Sequence, residues 1–434
     1  MSDKKVIKVG LMGLGTVGTG VYKVMENQRS EFPYKIGAEM EITKILVREN
    51  AMEDAKSRVR SDIQVVGNYE EIVNDPEIDI VVEVMGGIDF AKKCILACLN
   101  AGKSVVTANK DLVAVHGREL LDAAAANGCD FLFEASVAGA IPIIRPLKQC
   151  LAANNISEVM GIVNGTTNYI LTKMTLEGMS FEAALAKATE LGYAEADPTA
   201  DIEGLDAARK VAIMGSIAFN SRVVLDDVYV EGITKLTAED ISYASEMGYN
   251  IKLLGVARHA EGDGIEVRVH PMLIPSSHPL ATVNDSFNAV FVHGDAVDDV
   301  MFYGRGAGEM PTASAVVGDV MDIARNMMYN CKGRIHCSCY KDIPIKTIDD
   351  CRSSYFIRIQ AVNRPGVLAA ISGVFGENNV SIAQFIQKNA VDEEAEMVLI
   401  TENVLEKDFR KAVDALREMP ILKEISAIIR VYSA

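Results

Sequence analysis

The feature that most constrains this chain is a glycine-rich turn set between a strand and a helix near the start of the sequence. Val6–Met12 is an apolar, β-branched run of the kind that fills a sheet buried on both faces, and Gly13-Leu14-Gly15-Thr16-Val17-Gly18 follows it directly. From Thr16 to Gln28 the apolar residues recur at helical spacing. In that setting the first glycine permits a tight turn and the second lets backbone approach a pyrophosphate, which meets the N–H groups of the helix start. A ligand-free structural turn would use the same glycines.

The rhythm that follows is alternating. Glu41–Val47 and Ile78–Val84 read as strands, Ala91–Asn100 as a helix stopped at Ala101-Gly102, Ser104–Thr107 as a strand, Gly117–Asn127 as a helix and Asp130–Glu134 as a strand. Strands alternating with helices predict an α/β fold, a doubly wound parallel Rossmann sheet over about residues 1–135. From 136 to about 331 the pattern changes to long helices (Phe181–Leu191, Ile202–Phe219, Ala238–Lys252) followed by strands Ile265–Met272 and Ala289–Val292, an α+β arrangement. A connector over 332–352 leads to a block over 353–434. That block reads strand Tyr355–Val362, helix Val367–Asn378, strand Ser381–Gln387, strand Glu396–Thr401, helix Glu406–Arg417, strand Glu424–Val431, the βαββαβ order of a ferredoxin-like unit.

Composition narrows the function. The 434 residues carry 43 Lys plus Arg against 60 Asp plus Glu, a formal charge of −17 that repels phosphate backbones, so nucleic acid is not expected as a partner. No apolar run reaches the ~18 residues needed to span a bilayer. The charged opening passes straight into Val6–Met12 without a leader pattern, and a cytoplasmic location is expected. Eight cysteines are too sparse for a secreted disulfide framework. Cys94, Cys98, Cys129 and Cys150 read as buried thiols; Cys331, Cys337, Cys339 and Cys351, with His336 nearby, lack paired metal-ligand spacing and read as free thiols in the connector. His116, His270 and His293 are scattered and read as packing or surface residues.

Residues with chemistry fall in two places. Thr107-Ala108-Asn109-Lys110 lies just past a strand, at the carboxyl edge where open α/β sheets bind ligands. Further on, Gly192-Tyr193-Ala194-Glu195-Ala196-Asp197-Pro198 opens an acidic stretch that includes Asp201, and Gly204-Leu205-Asp206-Ala207-Ala208-Arg209-Lys210 follows. On a helix Asp206 and Lys210 are i and i+4 and share a face. A surface ion pair would have the same spacing, but Val211–Ala218 is apolar nearly all round and argues for burial, where charges need partners or a purpose. For the cofactor, the second strand ends Leu46-Val47-Arg48 before Glu49. Arg48 suits the 2′-phosphate of NADP(H), which is preferred here with NAD(H) as the other possibility; in the alternative Arg48 is a solvated loop cation and Glu49 takes the ribose.

Together the runs 13–18, 107–110, Val163-Asn164-Gly165-Thr166-Thr167-Asn168-Tyr169, 192–198 and 204–210 resemble homoserine dehydrogenase, in order along the chain. The C-terminal block, with Asn363-Arg364-Pro365-Gly366-Val367-Leu368 after its first strand, resembles an ACT regulatory domain. The resemblance implies the monofunctional form, in which 136–331 is the catalytic and dimerisation domain, and reversible oxidation of L-homoserine to L-aspartate 4-semialdehyde with NAD(P) in threonine, methionine and isoleucine biosynthesis. It makes Lys210 the proton donor to the carbonyl oxygen, with Asp206 and Lys110 holding substrate and reacting atoms, Glu195 binding the substrate ammonium and Asp201 assisting. Cofactor contacts would come from Gly13, Leu14, Gly15, Thr16, Val17, Gly18, Arg48, Thr107, Lys110, Gly192 and Gly308. It further implies a monovalent cation, sodium, on Glu134 and the backbone of Val137, Gly139 and Ile141, all hard oxygens. An amino-acid effector, L-threonine, would bind around Asn363, Gly366, Val367 and Leu368 of paired ACT blocks in a homodimer or homotetramer.

Two other classes share parts of this pattern. A non-catalytic NADPH or amino-acid sensor would keep the glycine turn and the C-terminal block, but has no need of Lys110, Asp206 and Lys210 together. Another ACT-bearing hydroxyacid dehydrogenase would use a His–carboxylate pair, for which the sequence offers no counterpart.

Overall fold

The computed structural model describes residues 6–335, 337–387 and 394–433, so His336 lies outside the described residues. Two compact units interleave along the chain. The first runs to Ile156 and adds Ala212–Leu225 and Gly294–Asp342; the second takes Ser157–Val211, Asp226–His293 and the chain from Ile343 onward.

The first unit is built on a parallel sheet of β1 (Val6–Met12), β2 (Glu39–Leu46), β3 (Gln64–Val66), β4 (Ile80–Glu83), β5 (Ser104–Thr107) and β6 (Phe131–Leu132), in the order β3-β2-β1-β4-β5-β6. That is the doubly wound order whose switch point lies between β1 and β4. Ile7, Val9, Leu11, Ile80 and Val82 are almost wholly buried, each contributing about 1.5–3 kcal/mol by burial. One face of this core is closed by the helices Thr16–Gln28 and Glu309–Met328. They cross at Gly20, where a Cβ would stand 2.5 Å from the Glu309 carbonyl oxygen, so only glycine fits.

The second unit carries an extended mixed sheet. Its strands run in the order Phe287–Gly294, Ile156–Ile162, Tyr249–His259, Ile265–Pro275, Leu422–Val431, Arg352–Val362, Glu394–Thr401, Ile382–Gln387. The last four, with helices Val367–Glu377 and Glu406–Arg417, form the expected βαββαβ block around a core that includes Tyr355, Ile371 and Phe409. Parallel pairing of Met272 with Arg430 and Leu273 with Val431 joins that block to the rest of the sheet. Ion pairs reinforce the junction: a half-buried one from Arg430 to Glu231 at 2.9 Å and a buried one from Arg358 to Asp240 at 2.9 Å.

Several expectations are corrected. Ile202–Phe219 is not one helix, because Gly204 takes φ +82° and separates a short turn, Thr199–Ile202, from the helix Leu205–Ala218. The helix from Ala238 ends at Glu246, not Lys252; Gly248 at φ +83° is its left-handed terminator, and Tyr249–His259 is a strand. The helix expected from Gly117 begins at Lys110, capped by Asn109, and the strand expected over Asp130–Glu134 shrinks to Phe131–Leu132 because Glu134–Ser136 is a 3₁₀ turn. The helices Gly165–Glu177 and Glu309–Met328 and the strand Ile156–Ile162 were not read from the sequence. Cys94, Cys98 and Cys129 are buried as expected, whereas Cys150 is exposed at the end of the short helical turn Pro146–Cys150. No group of three His, Cys, Asp or Glu able to hold a metal occurs among the described residues.

Candidate active site

In the first unit the glycines do what their positions require. Gly13 sits at φ +105° with its N–H donating to Leu46 O at 2.9 Å, and a Cβ there would meet Val84 O at 2.9 Å. At Gly18 a Cβ would stand 2.0 Å from Gly13 O. Gly15 differs: no atom lies within 4 Å of the position a Cβ would take, so this backbone faces open space at the helix start. The first turn of that helix carries no acidic side chain of its own. A cavity of about 580 Å³ beside it is lined by Leu14, Gly15, Thr16, Arg58 and Glu309. Such a cradle of unobstructed backbone and positive helix end fits a dinucleotide pyrophosphate.

Arg48 lies two residues past β2 and is exposed near the strand end that bonds Gly13. Sequence reasoning missed a second guanidinium, Arg58, which donates to Thr19 Oγ1 and pairs with Asp54 at 3.1 Å. Nothing in the spacing signals it, because it arrives from the end of the separate helix Met52–Arg58. Gly308, at φ +125°, caps the helix Glu309–Met328, and Glu309 reaches back to Lys23 at 2.6 Å. Val17 is half-buried in the fingerprint helix.

Lys110 opens its helix at the carboxyl end of β5, on a turn held by side chains. The Thr107 hydroxyl donates to Glu83 at 2.7 Å and accepts the Asn109 N–H at 3.0 Å; Asn109 in turn accepts from Leu112 N–H at 3.1 Å and donates to Gly87 O at 2.6 Å. Glu83 is fully buried, and desolvation holds its carboxyl above the usual carboxylate range. Thr107 therefore spends its hydroxyl on structure.

Glu134 is buried, and its carboxylate accepts the backbone N–H groups of Ile143, Ile144 and Arg145 at 2.6, 2.7 and 2.8 Å. Beside it, Ala138 and Gly139 both take φ +54°, and Gly139 is pressed so close to Gly306 O that a Cβ would lie 2.3 Å away. Val137 and Ile141 are buried. The segment offers oxygen ligands only, with Glu134 shared among three donors.

In the second unit one cluster draws on three segments. Asn164 caps the helix Gly165–Glu177 by accepting Thr167 N–H at 2.9 Å, and its amide donates to Asp201 at 2.7 Å and to Asp206 Oδ2 at 2.9 Å. The Lys210 ammonium donates to the same Asp206 Oδ2 at 2.6 Å and to Val163 O at 2.7 Å. Asp206 is 5% exposed, and Lys210 and Asp206 meet as the helical i, i+4 pair that the sequence predicts. An ammonium has three protons, and these two bonds use two of them. Sequence reasoning assigned no role to Asn164, whose link to both carboxylates spans 37 and 42 positions. Gly192, at φ +75°, and Glu195 lie on the exposed turn after the helix Phe181–Glu190. That turn is tied to the cluster's helix by Thr166 Oγ1, which donates to Tyr193 O at 2.7 Å.

At the C-terminal block Gly366 takes φ +91° at the start of the helix Val367–Glu377, with open space around it. Asn363 and Leu368 are exposed, while Val367 turns its side chain into the core and presents backbone only.

A doubly wound sheet with a dinucleotide turn, a buried lysine–carboxylate cluster and a βαββαβ block together define a dinucleotide-dependent oxidoreductase with an appended ligand-sensing fold. Family models give the class its name: residues 13–134 match the homoserine dehydrogenase NAD-binding domain, 142–321 homoserine dehydrogenase, and 355–420 the ACT domain. Homoserine dehydrogenase of Bacillus subtilis is 43% identical over 98% of this chain and 98% of its own. A crystal structure of a homoserine dehydrogenase from Thiobacillus denitrificans superposes with a TM-score of 0.93 at 42% identity, covering 99% of both chains. A hyperthermophilic archaeal homoserine dehydrogenase in complex with NADPH matches 73% of this chain and 97% of its own, with a TM-score of 0.62 at 27% identity. The chain belongs to the homoserine dehydrogenase family and is an oxidoreductase of that kind with a C-terminal ACT domain. No helix among the described residues is long and apolar enough to cross a membrane.

Proposed function

We propose that this chain interconverts L-homoserine and L-aspartate 4-semialdehyde in the cytoplasm, on the route to threonine, methionine and isoleucine, with NADP(H) preferred over NAD(H). The observation that carries the reading is the Lys210 ammonium fixed on Asp206 at 2.6 Å and Val163 O at 2.7 Å, with one proton unspent. The dinucleotide supplies or accepts the hydride. In the reducing direction Lys210 Nζ stabilises the negative oxygen formed at the former carbonyl carbon and gives it a proton; in the oxidising direction it takes the hydroxyl proton back. Asp206 keeps the ammonium aimed and, with Asp201, offers carboxylate oxygens to the substrate. Glu195 takes the substrate ammonium, and Lys110 holds substrate and reacting atoms.

Arg48, Arg58 and the relative bound to NADPH support the cofactor preference. Sodium on Glu134 and the carbonyls of Val137, Gly139 and Ile141 is the cation reading, supported by an all-oxygen donor set. The open backbone at Gly366 supports an amino-acid effector, L-threonine, between paired ACT blocks of a homodimer or homotetramer. Coupling of about 1–3 kcal/mol would shift apparent substrate affinity severalfold. Since the block is stitched into the sheet and ion pairs of the second unit, deleting it would strand Glu231 and Asp240; the effector is better tested on the full chain.

The test is cofactor reduction with homoserine against serine, malate and 3-phosphoglycerate, with and without L-threonine. Homoserine-specific turnover is expected, faster with NADP than with NAD and inhibited by threonine. Turnover of malate or serine in preference to homoserine would overturn the substrate assignment.

A further inference from the structure

Outside these sites the densest group of reactive side chains lines a cavity of about 550 Å³ in the first unit. Cys337 and Cys339 open onto it, both partly exposed, and are hydrogen-bonded to each other. The Cys339 thiol also donates to the Ser216 carbonyl oxygen at 3.6 Å. Lys148 lines the same cavity with its ammonium 5.2 Å from the centre of the Phe133 ring, and Arg222 lies on another wall. Among the described residues neither cation has a carboxylate partner, in a chain whose net charge is −17.

Accessible cysteines beside unpaired cations are the reactive ones, since the thiolate is the nucleophile and nearby positive charge favours it. Cys94 and Cys98 show the opposite environment: they are wholly buried, and desolvation pushes their thiols up to about 11 and about 12. Within the cavity the two sulfurs are unequal. Burial and the contact with Cys337 push the Cys339 thiol up to about 12, so Cys339 keeps its proton, which it donates to Ser216 O. The lining carries Arg118, Lys148, Arg222 and Lys341 against Asp122 and Asp342, an excess of cations that favours small molecules carrying carboxylates.

We propose that this cavity is a thiol–disulfide exchange site in which Cys337 attacks a small, carboxylate-bearing disulfide and Cys339 resolves the adduct. The Cys337 thiolate bonds to one sulfur of the small disulfide, whose S–S bond breaks, and the departing thiolate takes up the proton that Cys337 lost. Cys339, giving up its proton, then attacks the Cys337 sulfur and expels the second small thiol. One disulfide is reduced to two thiols, and the two protein thiols are oxidised to one Cys337–Cys339 bond. Exchange removes the S–H that meets Ser216 O, near the end of the helix Leu205–Ala218 that carries Asp206 and Lys210. It therefore acts on the catalytic helix.

The test treats the full-length protein with glutathione disulfide or with cystamine, a disulfide bearing ammonium groups, and follows intact mass, peptide maps and homoserine turnover. Wild type is expected to pass through a glutathionyl adduct on Cys337 to an internal 337–339 disulfide, with severalfold loss of turnover restored by dithiothreitol. Cys339→Ser should trap the adduct, and Cys337→Ser should abolish exchange here. Lys148→Met should slow glutathione disulfide by about tenfold while leaving cystamine unaffected. Reaction confined to the exposed Cys150, an unchanged rate in Cys337→Ser, or equal rates for the two disulfides would overturn the site. Full exchange with unchanged turnover would overturn the link to the helix.

Discussion

The glycine turn of the first unit and the Asn164–Asp206–Lys210 cluster of the second are both built to hold charge, and they do it by opposite means. At the turn the working groups are backbone N–H, open at Gly15 and held in that shape because Gly13 and Gly18 carry no side chain to clash with the packed backbone. In the cluster the working groups are side chains buried by residues far off in sequence, and Asn164 must donate to two carboxylates at once. A backbone site depends on local conformation and tolerates drift elsewhere. A side-chain site depends on several segments arriving together.

The sharpest way to break this comparison is to remove one side chain from the cluster. Lys210→Met should cut turnover by about 10²–10⁴-fold while dinucleotide binding, measured by fluorescence titration, stays at the wild-type level. A parallel loss of dinucleotide affinity would show that the two sites are not separable. Asn164→Ala leaves Lys210 on Asp206 but removes the amide that both carboxylates share, and a loss of about 10–100-fold in kcat is expected together with a displaced pH–rate profile. An unchanged profile would reduce Asn164 to a helix cap.

The turn fails differently. Gly18→Ala puts a Cβ onto Gly13 O, and shifting that backbone should cost about 1–3 kcal/mol or more of first-unit stability as well as dinucleotide affinity, both read by thermal melts with and without cofactor. Arg48→Asp is milder: kcat/KM for NADP should fall by about 1–3 kcal/mol more than for NAD. Equal losses would return Arg48 to the solvent and leave Arg58 as the phosphate partner.

The smallest effect concerns stability alone. His270 is fully buried in the second unit, and desolvation holds its imidazole well below its ordinary value, so the folded state keeps it neutral. Below about pH 6.5 the unfolded chain binds a proton that the folded chain refuses, and stability should fall by up to about 1.4 kcal/mol per pH unit as the pH drops. His270→Gln should flatten that slope in denaturant titrations from pH 7 to 5. A slope unchanged by the substitution would assign it to other groups.

These two regions also show where a sequence is legible. The strand, the turn and the following helix are contiguous, so their periodicity and glycine spacing are visible along the chain, and the βαββαβ block is visible for the same reason. Asp206 and Lys210 were legible because i, i+4 is a local relation. Asn164 stands in a recognisable motif, but its role is not legible there, since only folding brings it to Asp201 and Asp206. The boundaries that went wrong did so where a single glycine outweighed periodicity. Gly204 and Gly248 adopt left-handed backbone, ending one helical turn and turning another helix into a strand.

By itself the sequence determined the parallel sheet, the dinucleotide turn, the C-terminal ferredoxin-like block and the lysine–aspartate pair, because each arises from spacings of a few residues that elementary sterics and hydrogen bonding convert into one local shape. Tertiary structure alone decided that Asn164 bridges Asp201 and Asp206, that Arg58 reaches Thr19, that Glu134 is taken up by three backbone N–H groups, and that Cys337 and Cys339 share a cavity with Lys148 and Arg222. Those contacts join positions separated by roughly ten to two hundred residues. No local preference encodes such separations; the chain must first bury its cores, and the polar groups then find the partners that burial leaves within reach.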